Sequence, residues 1–158
     1  MTTTNEVTIR DYEPIHQPWF EHLNRQWIEE HFVMEDVDRQ VLQNPDEQII
    51  AKGGQILMAY HNSEIAGTVA LKYSQPGIFE FTKMAVSEKF RGNGIGHALA
   101  EAAIGKAKSL GAHTIILYSS SKLAPTLALY RKLGFVHIPV DGPYKRSDVK
   151  MKLDLLSK

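Results

Sequence analysis

A strand, a glycine-rich loop and a helix follow one another over residues 79–111, and this order constrains the fold more than any other feature. Residues 79–86 alternate in polarity and are rich in residues that favour β-structure, which predicts a strand. Apolar residues recur at helical spacing over 95–110, and Gly111 is placed to end that helix. Three glycines lie where the strand gives way to the helix, which favours a close approach of the backbone to a ligand.

The loop predicts an anion site. The first amides of a helix have no intrahelical partner, and the helix dipole adds positive character at that end. A phosphate or pyrophosphate is the natural ligand of such a site, and Arg91 at the loop entrance adds a positive charge. The dinucleotide fingerprint G-x-G-x-x-G is missing, because His97 or Leu99 stands where its last glycine would be. The phosphate loop of kinases and ATPases, G-x-x-x-x-G-K-[ST], does not occur in the chain.

Length and charge exclude several classes of protein. A chain of 158 residues predicts one domain over 1–158 with a core of its own. Eighteen basic and eighteen acidic residues leave no net charge, so we expect no sequence-independent attraction to nucleic acid. The chain has no apolar run of about eighteen residues, so we expect no membrane span.

The counts of cysteine and histidine restrict the chemistry. The chain has no cysteine, which excludes a disulfide and an acyl-cysteine intermediate and fits a cytoplasmic location. The seven histidines do not follow the spacing of metal ligands, so we expect no metal. An acyl transfer would therefore use a nucleophile other than cysteine or go directly from donor to acceptor.

Hydrophobic periodicity predicts eleven elements in the order β, α, α, β, β, β, α, β, α, β, β. They cover residues 7–12, 19–31, 35–44, 56–60, 65–73, 79–86, 95–110, 114–118, 123–133, 135–138 and 149–155. An antiparallel meander that leads into a βαβ unit predicts an α/β (α+β) fold. We expect a mixed, mostly antiparallel central sheet of about six or seven strands, flanked by helices.

Three motifs together resemble those of the GNAT (N-acetyltransferase) superfamily. The loop reads Arg91-x-x-Gly94-x-Gly96, like the acyl-coenzyme A loop of that superfamily, and the strand before it ends at Val86. Further on, the segment ending at Phe135 shows the pattern Tyr-x-x-x-Gly-Phe of the terminal helix. The resemblance is specific over about 79–135 and implies the acyl-CoA N-acyltransferase fold of a small, single-domain bacterial-type member. It also implies transfer of an acetyl group from acetyl-coenzyme A to a primary amine by direct attack in a ternary complex.

The resemblance also implies a set of cofactor-binding residues. In the family, the pantetheine arm lies along the strand before the loop, where that strand and the next splay apart, and the pyrophosphate sits on the loop amides. The corresponding residues here are Met84, Ala85, Val86, Arg91, Gly92, Asn93, Gly94, Ile95, Gly96 and His97. The family often has a pantetheine-binding asparagine after the fifth strand. Here three serines follow, and either Ser121 replaces that asparagine or the contact is missing.

Two residues match catalytic positions of the family. Glu80 corresponds to a glutamate that takes the amine's proton, often through a water, and strand alternation puts it on the same sheet face as Val86. Tyr130 corresponds to the tyrosine that protonates the leaving thiolate, and a phenol is protonated at neutral pH. The alternatives are a salt-bridged strand glutamate and a core tyrosine.

The acceptor site is the least constrained by sequence. Trp27 and Glu30 lie on the first long helix, which borders the acceptor cleft in the family, and Tyr73, Tyr144 and Arg146 lie near loops that could approach the same cleft. The planar fork of Arg146 could hold an acceptor carboxylate. The alternative is that these residues are surface charges and core aromatics. Small-molecule amines and peptide amines both fit, and the family resemblance is compatible with a homodimer.

Two other functions compete with the transferase. One is a catalytically inactive sensor of the same fold that binds acyl-coenzyme A or another ligand. The other is an unrelated nucleotide-binding domain with a similar loop. Turnover of acetyl-coenzyme A separates the transferase from the sensor. A comparison of binding of coenzyme A with binding of adenine nucleotides tests for the unrelated nucleotide-binding domain.

Overall fold

The computed structural model describes residues 6–142 and 146–155. Within them, seven strands form one sheet in the order β1-β2-β3-β4-β5-β7-β6, and all neighbours are antiparallel except β4 and β5. The strands are β1 (Val7–Asp11), β2 (Gln55–His61), β3 (Glu64–Gln75), β4 (Ile78–Val86), β5 (Thr114–Ser119), β6 (Val136–Ile138) and β7 (Val149–Asp154). The mixed, mostly antiparallel sheet expected from the sequence is confirmed.

Four helices of eight or more residues cover the two faces of the sheet within the described ranges. They are α1 (Gln17–His31), α2 (Asp36–Gln43), α3 (Ile95–Ser109) and α4 (Ala124–Lys132). The order of helices and strands agrees with the periodicity of the sequence. None of the helices in the described residues is both long and apolar enough to cross a membrane.

The core has two parts, one on each face of the sheet. On one face, α3 packs through fully buried small residues, including Ala100, Ala103 and Ala107, against β1 to β4, and α4 belongs to the same cluster. Small side chains let the helix backbone come close to the sheet, and this brings the glycine-rich loop to the edge of β4. On the other face, apolar residues of α1 and α2 such as Phe20 and Leu42 pack against β2 and β3. We call these the α3 face and the α1 face.

A β-bulge in β4 changes which face its residues occupy. Thr68 pairs with Ala85 and Ala70 pairs with Thr82, so a single residue of β3 lies opposite two residues of β4. One of those two, Lys83, has a left-handed backbone with φ of 55°. The extra residue shifts the alternation beyond it by one position.

The bulge makes the predicted position of Glu80 relative to Val86 wrong. Glu80 pairs with Lys72 of β3, which lies two positions from Ala70. Because Ala70 belongs to the apolar cluster on the α1 face, Lys72 and Glu80 lie on that face too. Val86 lies on the α3 face, since a β-carbon built on Gly96 of α3 would be 3.9 Å from its Cγ2 atom. Simple alternation over six residues would put the two side chains on one face, but the bulge separates them.

The parallel pair β4 and β5 separates part-way along its length. Their registered pairs run from Ile78 with Thr114 to Phe81 with Leu117, although both strands continue further. From Thr82 onward, β4 keeps its partners on β3, while β5 keeps its partners on β7. A wedge therefore opens between the carboxyl ends of the two strands, as the family resemblance implied.

Candidate functional site

A cleft of about 440 Å³ occupies the wedge between β4 and β5. The strands contribute Thr82, Lys83, Met84 and Val86 on one side and Tyr118 to Ser120 on the other. Helix α1 closes the cleft on the α1 face, and α4 closes it on the α3 face. The edge of β4 that no longer pairs with β5 thus faces a cavity where a ligand can reach its backbone.

The glycine-rich loop forms one end of the cleft. Gly92 and Gly94 have positive φ values of 88° and 75°, a conformation that favours glycine, and Gly94 directly precedes α3. A β-carbon built on either residue meets no atom within 4 Å, so packing within the described chain does not require glycine there. The first amides of α3 follow, and the earliest intrahelical bond there runs from the amide of Ala98 to the carbonyl of Gly94. The arrangement is suited to an anionic group that lies on these amides.

Three other side chains of the loop interact with the protein itself. Arg91 forms a two-pronged ion pair with Glu30 of α1, at 3.1 and 3.2 Å, and its hydrogen bonds lower the pKa of that carboxyl. Asn93 donates to the carbonyl oxygen of Phe90 at 2.9 Å and holds the turn. His97 lies 2.8 Å from Glu101, one turn along α3. Arg91, Gly92 and Gly96 line the cleft directly.

Tyr130 lies on α4 with its ring in the core and also lines the cleft. Its ring packs edge-on against Phe81 at 5.6 Å and contacts Phe135 at 5.8 Å. Burial raises the pKa of the phenol well above its usual value, so it remains protonated at neutral pH. Within residues 6–142 and 146–155, its hydroxyl forms no hydrogen bond. A proton donor thus stands at the wall of the cleft.

Glu80 lies on the acceptor side predicted by the resemblance, because the α1 face carries α1. It is 8% exposed and does not itself line the cleft. Its charge acts on Lys83 and Tyr118, both of which do line the cleft. Glu80 therefore lies close to two residues of the cleft wall.

A buried ion network lies beside Lys83. Asp38 of α2 is fully buried, and its carboxylate accepts hydrogen bonds from Lys83 at 2.8 Å and from Arg146 at 2.7 and 2.9 Å. It also accepts one from the backbone nitrogen of Glu35 at 3.0 Å. Burial by itself would raise the pKa of Asp38, but the hydrogen bonds from Arg146 and Lys83 outweigh it and hold the pKa well below its usual range. This network ties the bulge of β4 to α2 and to the segment before β7.

Several predicted site residues lie elsewhere or have other partners. The fork of Arg146, predicted to hold an acceptor carboxylate, donates to Asp38 and to Glu35 at 2.9 Å. Ser121 does not line the cleft, and its hydroxyl and amide both donate to Asp148; Ser119 and Ser120 line the cleft instead. Because of these contacts, the cofactor role of Ser121 stays a prediction without structural support.

The remaining acceptor candidates divide between the cleft and its surroundings. Trp27 lines the cleft, and Glu30 lines a neighbouring shallow groove. Tyr73 pairs with Phe79 near the start of β4, at the end of the sheet away from the wedge, so its predicted place near the cleft is wrong. Tyr144 lies outside the described residues.

Sequence reasoning missed the residues whose contacts span the chain. Asp38 and Lys83 are 45 positions apart, and each alone looks like a solvated charge on a helix or a strand. Asn24 of α1 lines the cleft and is buried, but a single asparagine in a helix carries no sequence signal. No cluster of three or more metal-ligating side chains occurs in the part of the chain that the structure describes.

Comparison with known proteins identifies the family. Residues 11–135 match the family model of the acetyltransferase (GNAT) family. The chain belongs to the GNAT family. A relative from Bacillus subtilis strain 168, the uncharacterized N-acetyltransferase YvbK, is 34% identical over 101 residues, which are 62% of this chain and 65% of that protein. The chain spans less than two thirds of the length of the curated relatives that it matches.

Solved GNAT structures share the fold over nearly the whole chain. An acetyltransferase of the GNAT family from Staphylococcus aureus Mu50 superposes with a TM-score of 0.86 at 19% identity, covering 96% of this chain and 100% of that one. The PaiA N-acetyltransferase from Thermoplasma acidophilum, in complex with coenzyme A, gives a TM-score of 0.74 at 17% identity and covers 95% and 99%. At sequence identities of 19% and 17%, these superpositions show a shared fold and nothing about substrates.

Proposed function

We propose that this GNAT protein transfers an acetyl group from acetyl-coenzyme A to a primary amine. The observation that carries the proposal is the cleft itself, in which the unpaired edge of β4 leads to the glycine-rich start of α3. This combination offers backbone hydrogen bonds for an extended polar chain and free amides for a pyrophosphate. Coenzyme A contains both of these parts, in its pantetheine arm and its pyrophosphate, and the PaiA relative was solved in complex with it.

The cofactor roles fall to the backbone more than to side chains. The amides from Gly92 to His97 would hold the pyrophosphate, and the open space beside Gly92 and Gly94 leaves room for it. The backbone of β4 from Met84 to Val86 would hold the pantetheine arm. Holding donor and acceptor together in this way supplies much of the rate enhancement in a direct transfer.

The reaction requires two proton movements. The amine nitrogen attacks the thioester carbon, the new C–N bond forms, the C–S bond breaks, and the sulfur leaves as a thiolate. Glu80, acting through a water, would accept the proton that the amine loses. Tyr130 would donate its proton to the thiolate, because its raised pKa keeps the phenol protonated until that point.

Thiol release from acetyl-coenzyme A tests the proposal directly. We expect turnover with at least one member of a panel of amines, amino acids, peptides and aminoglycosides, and binding of coenzyme A by calorimetry. Binding of coenzyme A without turnover of any amine would favour the inactive sensor. If coenzyme A does not bind, the loop is a structural turn and the proposed function is wrong.

Replacing Glu80 with glutamine is expected to lower kcat about 100-fold, because an amide cannot accept the proton. Glu47→Gln, at an exposed position that does not line the cleft, is the matched control. An unchanged kcat in Glu80→Gln would show that Glu80 is a structural residue of the strand.

Replacing Gly94 with valine is expected to weaken coenzyme A binding about tenfold, which corresponds to about 1.4 kcal/mol. Valine disfavours the φ of 75° at this position, and its branches would occupy the open space beside the loop. Calorimetry measures the affinity. Gly105→Ala in α3, where an added β-carbon also meets no neighbour, is the control that should bind normally. Equal affinities in the two variants would remove the loop from the cofactor site.

A further inference from the structure

Asn24 of α1 brings an amide side chain to the wall of the cleft. The residue is 1% exposed and lines the cavity. Its Nδ2 donates to the carbonyl oxygen of Phe20 at 2.9 Å, and because a carbonyl can only accept, this bond fixes which end of the amide is nitrogen. The other end, Oδ1, accepts no hydrogen bond from any residue in 6–142 or 146–155. The oxygen is not sealed off from the cavity, so it can accept a hydrogen bond from a ligand in the cleft.

Apolar side chains of α1 and of the residue that follows it line the cleft together with Asn24. Trp27 and Ile28 lie three and four positions further along α1, on the same face of the helix as Asn24. Phe32, at the end of α1, lines the same part of the cleft, with its ring centre 6.2 Å from that of Trp27. A ligand that donates to Asn24 therefore lies with its body against aromatic and aliphatic side chains.

The charged residues on this side of the cleft are engaged with one another. Lys83 donates to Asp38, and Arg146 donates to Asp38 and Glu35. A ligand carboxylate would have to compete with these buried carboxylates for the same donors. Among the described residues that line the cleft, none is aspartate or glutamate, so the wall offers no carboxylate to a second ammonium group.

We propose that Asn24 positions the acceptor, its Oδ1 atom accepting a hydrogen bond from the amine while the amine's uncharged apolar body lies against Trp27, Ile28 and Phe32. The acceptor is then a primary amine on an aromatic or aliphatic body, without a carboxylate and without a second amine. This inference rests on the proposed transferase function. It replaces the prediction that Arg146 holds an acceptor carboxylate.

Three acceptors and two variants of the full chain test the inference. The acceptors are phenethylamine, phenylalanine, which adds a carboxylate, and spermidine, which adds charges. We expect kcat/KM for phenethylamine to exceed that for each of the other two at least about tenfold.

Asn24→Leu should raise the KM for phenethylamine about tenfold and leave the KM for acetyl-coenzyme A unchanged, because leucine has nearly the same size but no acceptor atom. Asn24→Ala serves if the leucine variant does not fold, and Asn44→Ala, exposed at the end of α2, is the control.

The outcomes separate this inference from the proposed function. If thiol is released but phenylalanine or spermidine is the better acceptor, or if both Asn24 variants keep the KM for phenethylamine, the inference is overturned while the transferase function stands. If no amine is acetylated or coenzyme A does not bind, the proposed function fails and the inference falls with it. Calorimetry of coenzyme A, measured on every variant, tells these cases apart.

Discussion

Replacing Tyr130 with phenylalanine is expected to lower kcat about 100-fold and to leave the affinity for coenzyme A within about twofold. The phenol lines the cleft, and burial raises its pKa, so it can serve as the proton donor for the leaving thiolate. Phenylalanine keeps the ring contacts with Phe81 and Phe135 and removes only the hydroxyl. Thiol release and calorimetry of coenzyme A measure the two quantities.

The control for this variant is Tyr73→Phe, which removes a phenol at the end of the sheet away from the wedge. It should keep the kcat of the wild type. Thermal unfolding should be nearly unchanged in Tyr130→Phe, since the lost hydroxyl has no hydrogen-bond partner in the described residues. Normal turnover by Tyr130→Phe would make Tyr130 a packing residue and leave the leaving group to be protonated by solvent.

Replacing Asp38 with asparagine is expected to lower the free energy of unfolding by about 3 to 5 kcal/mol, the usual cost of removing one partner from a buried ion pair. Lys83 and Arg146 would keep their positive charges in a buried site without this carboxylate between them. For a chain of this size, the loss corresponds to a fall in Tm of roughly 10 °C. Denaturant unfolding and calorimetry check both values.

The loss of unfolding free energy in Asp38→Asn depends on pH, and the direction of this dependence follows from the pKa of Asp38. The folded pKa of Asp38 lies below the unfolded value of about 3.9, so the carboxylate stabilises the fold above that pH and loses its effect as the pH falls through the folded pKa. The difference between wild type and Asp38→Asn should therefore be constant near neutral pH and shrink in strong acid. Asp36→Asn, on the same helix but exposed, should show almost no difference at any pH. A neutral effect of Asp38→Asn would mean that the network does not stabilise the fold.

The sequence predicts most of the fold because local chemistry decides it. Helix α3 is visible in the spacing of Ile95, Leu99 and Ala103, and β5 in its apolar run, because each pattern reports one buried face. Turn residues mark the joints, as at Gly77 between β3 and β4, where φ is 78°. The glycine-rich loop could also be found, since its backbone conformation restricts the residue type directly.

The bulge in β4 could not be predicted, and it changes the site. A lysine with a left-handed backbone leaves no mark in the sequence, yet it reverses the alternation between Glu80 and Val86. Contacts between distant positions are equally hidden: Arg146 and Asp38 are 108 residues apart. The prediction that Arg146 holds an acceptor carboxylate rests on the chemistry of its side chain alone. Only the fold shows that the carboxylates it contacts belong to the protein itself.

The early end of the β4–β5 pairing has a mechanical consequence. Four registered residue pairs join the block of β1 to β4 to the block of β5 to β7, whereas most other neighbours share five or more. Apart from the three pairs that join the edge strand β6 to β7, this seam has the fewest registered pairs in the sheet, so a twisting motion of one block against the other costs few hydrogen bonds there. A chain that lies in the wedge acts as a short additional strand and stiffens the seam. A ligand bound there would thus stiffen the sheet, and amide hydrogen exchange along residues 82–86 would slow as the wedge fills.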